Sequence, residues 1–163
     1  MTHMIRAVLF DLDGTLVDHE SAAATALTRA LRTITEIREV DLTWARRRWR
    51  ELEKQVFAEY LSGRVTFVQQ RRLRVTGLVN DLGLGGWDET RTDAWFTTYL
   101  RHYEAAWRVY DDVVPALAAL AADNPRMRLG VLTNGDADQQ RQKLRYVGLS
   151  AQFPRVITSS EIG

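Results

Sequence analysis

Met4-Ile5-Arg6-Ala7-Val8-Leu9-Phe10 runs directly into Asp11-Leu12-Asp13-Gly14-Thr15. The first stretch is short, nearly all apolar, and has the composition of a strand covered on both faces. The second begins where the apolar run stops. It therefore sits at the carboxyl end of that strand, where open α/β sheets place their ligands. Alternate residues of an extended chain share a face, which aims Asp11 and Asp13 at one crevice. Two such carboxylates repel each other unless a cation or a proton intervenes. A hard divalent ion with oxygen ligands, Mg2+ above all, resolves that conflict. Gly14 permits a turn that a side chain would obstruct. The plain alternative is a surface turn, because Asp and Gly are turn residues.

Two further strands follow downstream. Arg128 to Thr133 is apolar and stops at Asn134-Gly135-Asp136, and Arg155 to Thr158 reads the same way. Asp136 is an N-cap for a helix over Ala137 to Tyr146, with Gly148 as its stop. Pro115 suits the first turn of an Ala/Leu-rich helix over Val113 to Ala122. Strands alternating with helices predict βαβ units and a parallel sheet, an α/β core. Thr133 and Asn134 lie at a strand end that opens a helix, and free N–H groups, the helix dipole and a hydroxyl together favour an anion there. A simple helix cap is the alternative. An acidic, metal-attracting strand end beside an anion-binding one suggests a phosphate bridged by Mg2+, and an aspartate can serve as a nucleophile toward it.

The middle of the chain is different. No buried strand is read from about Ser21 to Trp107. Helices are predicted over Ser21 to Ile34, Leu42 to Leu61, Phe67 to Leu82 and Glu89 to Trp107, the last three capped by Asp41, Thr66 and Asp88. In the second, Trp44, Arg48, Leu52, Val56 and Tyr60 form an amphipathic face. Trp95, Phe96, Tyr99, Tyr103 and Trp107 recur at helical spacing as the core of this insert. Arg46, Arg47 and Arg48, with Trp44 and Trp49 nearby, point to different helix faces and precede Glu51 and Glu53, which favours a solvated helix over a nucleic-acid surface.

Composition narrows the class. The 163 residues carry a net charge of +1, with 45% hydrophobic and 26% charged residues, values of a folded domain rather than a disordered chain. A net charge near zero argues against a general polyanion binder. The absence of Cys excludes disulfides, thiolate metal sites and Cys nucleophiles. No export signal is read, and the apolar runs fall far short of the ~20 residues of a membrane span. The expectation is a cytoplasmic protein without nucleic-acid or membrane partners; no oligomeric state is read. His3, His19 and His102 lack metal-ligand spacing.

At these motifs the chain resembles the haloacid-dehalogenase superfamily. Asp11-Leu12-Asp13-Gly14-Thr15-Leu16-Val17-Asp18 is similar to its first motif and Leu132-Thr133-Asn134-Gly135 to its second. Gln142 to Leu149, Phe153 and Ser159-Ser160-Glu161-Ile162-Gly163 resemble the usual continuation. The resemblance implies a Rossmann-like parallel sheet core from residues 1–17 and 108–163, with an α-helical cap inserted over 18–107. It implies that Asp11 is the nucleophile and a Mg2+ ligand. Asp13 would be the general acid and then the base, its backbone carbonyl a second Mg2+ ligand. Thr133 and the backbone N–H of Asn134 would bind phosphoryl oxygens. These roles suit phosphoryl transfer, which depends on positioning and charge neutralisation. Dehalogenase members lack an acidic residue at the position of Asp13, because halide needs no proton to leave. The expectation is therefore a Mg2+-dependent phosphatase acting on a small phosphorylated metabolite.

Two alternatives stand beside it. The family's third motif, a lysine usually followed by proline, and its acidic fourth motif would fall beyond Gly163. That implies a core short of its C-terminal strands, and a catalytically incompetent fragment or binding protein. The other alternative is a 2-haloacid dehalogenase. Lys143 lies inside the helix after the second motif and reads as a solvated residue, not a substitute for the family's lysine. His19 and Glu20 fall at the hinge between core and cap. Arg71, Arg72 and Arg74 read first as surface or intra-cap pairing, although a cap arginine can select an anionic substrate. No terminal helix is read at Ser159 to Gly163.

Overall fold

The computed structural model describes residues 5–162; His3, the strand start at Met4, and Gly163 lie outside the described residues. In chain order the elements are β1 (Ala7–Phe10), α1 (His19–Leu31), α2 (Leu42–Leu61), α3 (Phe67–Asp81), α4 (Glu89–Glu104), α5 (Val113–Asp123), β2 (Arg128–Thr133), α6 (Ala137–Tyr146), β3 (Arg155–Thr158) and α7 (Ser159–Ile162). They divide into two compact units, residues 1–22 with 107–163, and residues 23–106.

The first unit is built on a parallel sheet ordered β1-β2-β3. Phe10 stands opposite Val131, and Thr133 opposite Thr158, so the carboxyl ends of the three strands lie side by side. Leu129 and Val131 point to one face, with Phe10 and Val156. They pack there against Val113 and Leu117 of α5, Leu144 of α6, and Leu149, Phe153, Leu12, Leu16 and Val17. The opposite face is bare: Leu9 is 54%, Leu132 46% and Ile157 37% exposed. Strands covered on both faces were the expectation, and the described residues cover one. The reason is topological. Right-handed crossovers that step in one direction across a sheet lay their helices on the same side.

The turn after β1 is fixed by the backbone. Leu12 is fully buried, and its carbonyl accepts from the N–H groups of Leu16 and Val17, both at 2.9 Å. Gly14 sits at φ +85°, a conformation that side chains disfavour, and its N–H reaches Val17 O at 2.9 Å. The outgoing chain then runs antiparallel to the segment entering α5: Val17 bridges Val109, Asp18 N–H donates to Arg108 O at 3.0 Å, and Tyr110 N–H to Leu16 O. Asp18 caps α1 by accepting from Ser21 N–H at 3.0 Å, and it also accepts from Arg108 Nη2 at 2.7 Å.

In the helical unit, the predicted caps are all in place. Asp41 accepts from Thr43 and Trp44 N–H, Thr66 forms a capping box with Gln69, and Asp88 accepts from Arg91 N–H. The buried stripe of α2 is Ala45, Trp49, Leu52 and Val56, one residue out of phase at its start with the expected Trp44 and Arg48. Trp49 meets Trp95 and Tyr99 edge-on, at 5.7 and 4.9 Å. Gly77 lets α3 approach α2 closely, since a Cβ there would lie 2.6 Å from Leu52 Cδ2.

The arginines find partners inside this unit. Arg46 reaches Thr28, and Arg48 reaches Asp81 at 2.6 Å. Arg72 bonds Asp93 and Glu89, and Arg71 lies over the Phe67 ring. Arg74 is 5% exposed, held by Glu53 at 2.8 Å and by the Trp49 face at 4.0 Å. Several assignments differ from expectation, among them α1, which runs over His19–Leu31 and not Ser21 to Ile34. Helix α4 stops at Glu104, so Trp107 falls in the first unit, edge-on to Tyr146. A helical turn, α7, forms at Ser159, where none was read.

Asp18 yields a prediction. Burial raises the pKa of its carboxyl, but the hydrogen bonds from Arg108 and from the Ser21 N–H outweigh burial and hold it below the ordinary carboxylate value. A carboxyl lowered in the folded state contributes stability above its ordinary pKa, and that contribution is lost as pH falls through the folded value. Asp18→Asn is expected to cost about 1–2 kcal/mol at pH 7, allowing for the exposure of Arg108. The gap from wild type should narrow as pH drops below about 4 in urea melts. A gap constant down to acid pH would contradict this account.

Candidate active site

The candidate residues gather at the carboxyl ends of β1 and β2. Asp11 directly follows β1 and is exposed, and its Oδ2 accepts from Thr15 Oγ at 3.3 Å. Leu12 turns into the core, which leaves Asp13 half-buried beyond it. Thr133, the last residue of β2, is buried, and Asn134 next to it is exposed.

Asp13 and Thr133 are joined by a residue that sequence reasoning did not single out. Gln140 of α6 is 3% exposed. Its Nε2 lies 2.9 Å from Asp13 Oδ2, 3.1 Å from Thr133 Oγ1 and 2.9 Å from Asn134 O. The other oxygen of Asp13 is taken by Lys143, whose Nζ lies 2.5 Å from Oδ1. Lys143 is only 1% exposed, and its ammonium sits 5.5 Å from the centre of the Trp107 ring. The reading of Lys143 as a solvated helix residue is therefore wrong. The signal was present: residues 140, 143, 144 and 147 lie on one face of a helix, and Leu144 and Val147 of that set are apolar.

The expected anion site at the start of α6 is partly occupied by the chain itself. Asp136 accepts from Gln139 N–H at 3.0 Å. Ser159 and Ser160, carried back by α7, accept from the N–H groups of Gly135 and Ala137, both at 3.1 Å. A helix N-terminus offers four such donors, and local oxygens compete with any ligand for them. Beside those capped groups, the Thr133 hydroxyl accepts from Gln140 and donates to Asn134 O at 3.4 Å.

The charge conflict between Asp11 and Asp13 is resolved in part without an added ion, because Lys143 neutralises Asp13. Among the described residues, no cluster of three or more His, Asp and Glu side chains converges as a metal cage. The Asp11 carboxylate, with the Asp13 main-chain carbonyl nearby in sequence, is a sparse oxygen set. That set suits Mg2+, which commonly takes one or two carboxylates, substrate phosphate and several waters instead of a full protein cage.

Known proteins resemble the chain in sequence and in fold. The chain matches the family described as haloacid dehalogenase-like hydrolase over residues 5–163. It is 32% identical to a glyceraldehyde 3-phosphate phosphatase from Methanopyrus kandleri, over 98% of this chain and 64% of that protein. The HAD-hydrolase YfnB from Bacillus subtilis, solved bound to magnesium, superposes with a TM-score of 0.76 at 21% identity, covering 98% of this chain and 65% of that one. L-2-haloacid dehalogenase from Xanthobacter autotrophicus gives 0.69 at 26% identity, covering 98% and 58%. The chain thus spans less than two thirds of the length of these relatives. Strand order, the motif at the end of β1 and the match across nearly every residue lead to one conclusion: the chain belongs to the haloacid dehalogenase-like hydrolase family.

Proposed function

We propose that the protein is a Mg2+-dependent phosphatase that hydrolyses a small phosphomonoester through an aspartyl-phosphate on Asp11, with residues 18–107 as the family's helical cap. The observation that carries this reading is the carboxylate of Asp13, held two residues beyond Asp11 and tied through Gln140 to Thr133. An alkoxide leaving group needs a proton, and Asp13 is a group that can give one. The phosphatase relative from Methanopyrus kandleri supports the same substrate chemistry.

In this reading a carboxylate oxygen of Asp11 attacks phosphorus, the bond from phosphorus to the alcohol oxygen breaks, and Asp13 hands its proton to the departing oxygen. Asp13 then takes a proton from water, whose oxygen attacks phosphorus. The bond to Asp11 breaks, inorganic phosphate leaves, and Asp13 is again protonated. Thr133 and the Asn134 N–H orient the phosphoryl oxygens. Bound Mg2+, held by the Asp11 carboxylate and the Asp13 carbonyl, would supply charge neutralisation to the transferring group.

A second reading, 2-haloacid dehalogenase, is favoured by likeness to solved dehalogenases at 26% identity. It leaves Asp13 without a task, because halide departs unprotonated. Release of halide from 2-chloropropionate without phosphatase activity would establish that reading instead.

Two outcomes test the proposal. Asp11→Asn is expected to lower kcat on p-nitrophenyl phosphate and on small alkyl phosphates by about 10^4-fold or more. Retention of full activity would remove Asp11 from the nucleophile's role. Chelation with EDTA is expected to reduce turnover by about 10^2-fold or more, with recovery on adding Mg2+. Unchanged turnover in EDTA would argue against a metal.

A further inference from the structure

We propose that Lys143 and Gln140 are positioning residues that lock the Asp13 carboxylate into one orientation for proton transfer to the leaving group, an inference that rests on the phosphatase reading. The two donors approach different oxygens: Lys143 Nζ reaches Oδ1 at 2.5 Å and Gln140 Nε2 reaches Oδ2 at 2.9 Å. One donor on a carboxylate fixes its position but lets it rotate. A separate donor on each oxygen fixes the plane as well, and with it the line along which a proton can leave or arrive. Such orientation is a large part of what a positioned acid or base contributes.

The local chemistry is costly if stability were its only purpose. Lys143 and Gln140 stand one turn apart on the buried face of α6, beside Leu144. A buried ion pair is commonly no better for stability than apolar side chains of similar volume. Gln140 also leaves its Oε1 buried, with no hydrogen-bond partner among the described residues. Its amide nitrogen is meanwhile spread over Asp13, Thr133 and Asn134. That spread keeps the Asp13 carboxylate in register with the residues proposed to hold the phosphoryl group.

The cation is also unusual for this chain. Of its 22 basic residues only two, Lys54 and Lys143, are lysines. The arginine fork pairs well with exposed carboxylates, as Arg72 and Arg64 do here. A compact ammonium instead fits a closed space against a single carboxylate oxygen and the Trp107 face.

The test is a comparison of leaving groups in the full-length protein with Mg2+. The leaving phenolate of p-nitrophenyl phosphate needs little protonation, whereas the alkoxide from glycerol 3-phosphate needs a full proton. Lys143→Met, which keeps the length of the stem, is expected to lower the single-turnover rate of alcohol release from glycerol 3-phosphate by about 100-fold and that of phenolate release from p-nitrophenyl phosphate by less than about 10-fold, with KM changed by no more than about 2-fold. Gln140→Met should shift the same ratio in the same direction, and it carries the test if Lys143→Met does not fold. Equal losses on both esters would overturn the proposal and leave the pair a structural one. A loss carried by KM would overturn it in favour of direct phosphate binding. A wild-type protein that turns over neither ester would fail the phosphatase reading itself, and the positioning role would fall with it.

Discussion

An ammonium with 1% exposure survives only beside a group that replaces the water it has lost, and here that group is Asp13. Removing such an ion from water costs about several kcal/mol before any partner repays it. The pair therefore constrains more than two side chains. Lys143 can reach Asp13 only if α6 lies across the end of β1, and Asp13 can meet it only if Leu12 turns inward to the core. Leu144, the next residue of α6, is then carried into the cluster with Val131 and Leu117. Polar and apolar halves of the same helix face are set by one docking geometry.

The helical unit buries a cation by different means. Arg74 lies against the face of Trp49, with Glu53 on one nitrogen and the Tyr99 hydroxyl at 3.4 Å from another. A guanidinium is weakly hydrated and planar, so a ring face and one carboxylate hold it with little need for focus on a single oxygen. Burial raises the pKa of the Tyr99 hydroxyl and keeps it neutral beside that cation. Arg74 serves packing between α2, α3 and α4. Lys143 serves a carboxylate that is itself 27% exposed at a strand end, and the difference in cation follows the difference in task.

Local signals made much of this legible in the sequence. Asp41, Thr66, Asp88 and Asp136 cap the helices that their positions predict, because a cap bonds N–H groups two or three residues away and needs no tertiary information. The strand ends at Asp11 and Thr133 were likewise visible as apolar runs stopping at polar clusters. What escaped depended on distant contacts. Which face of α2 is buried turns on where Trp95 and Tyr99 sit, and this selects Trp49 over Arg48. The bare side of the sheet follows from crossover handedness, which composition does not encode. Lysine is ordinarily a solvated residue type, and only the place of Lys143 on the face of Leu144 and Val147 signals its burial.

The start of α6 is crowded with oxygens from its own chain. A helix N-terminus attracts phosphate through unpaired N–H groups, yet here Asp136, Ser159 and Ser160 already take three of the local donors. The carboxylate of Asp136 also adds negative charge where a dianion would have to approach the helix axis. The Thr133 hydroxyl and Asn134 lie beside these caps and are joined to Asp13 through Gln140. The caps that stabilise α6 thus narrow the directions from which an anion can be held. The hydrogen bonds that end the helix also tie its first turn to α7, and Gln140, within that same helix, ties it to Asp13.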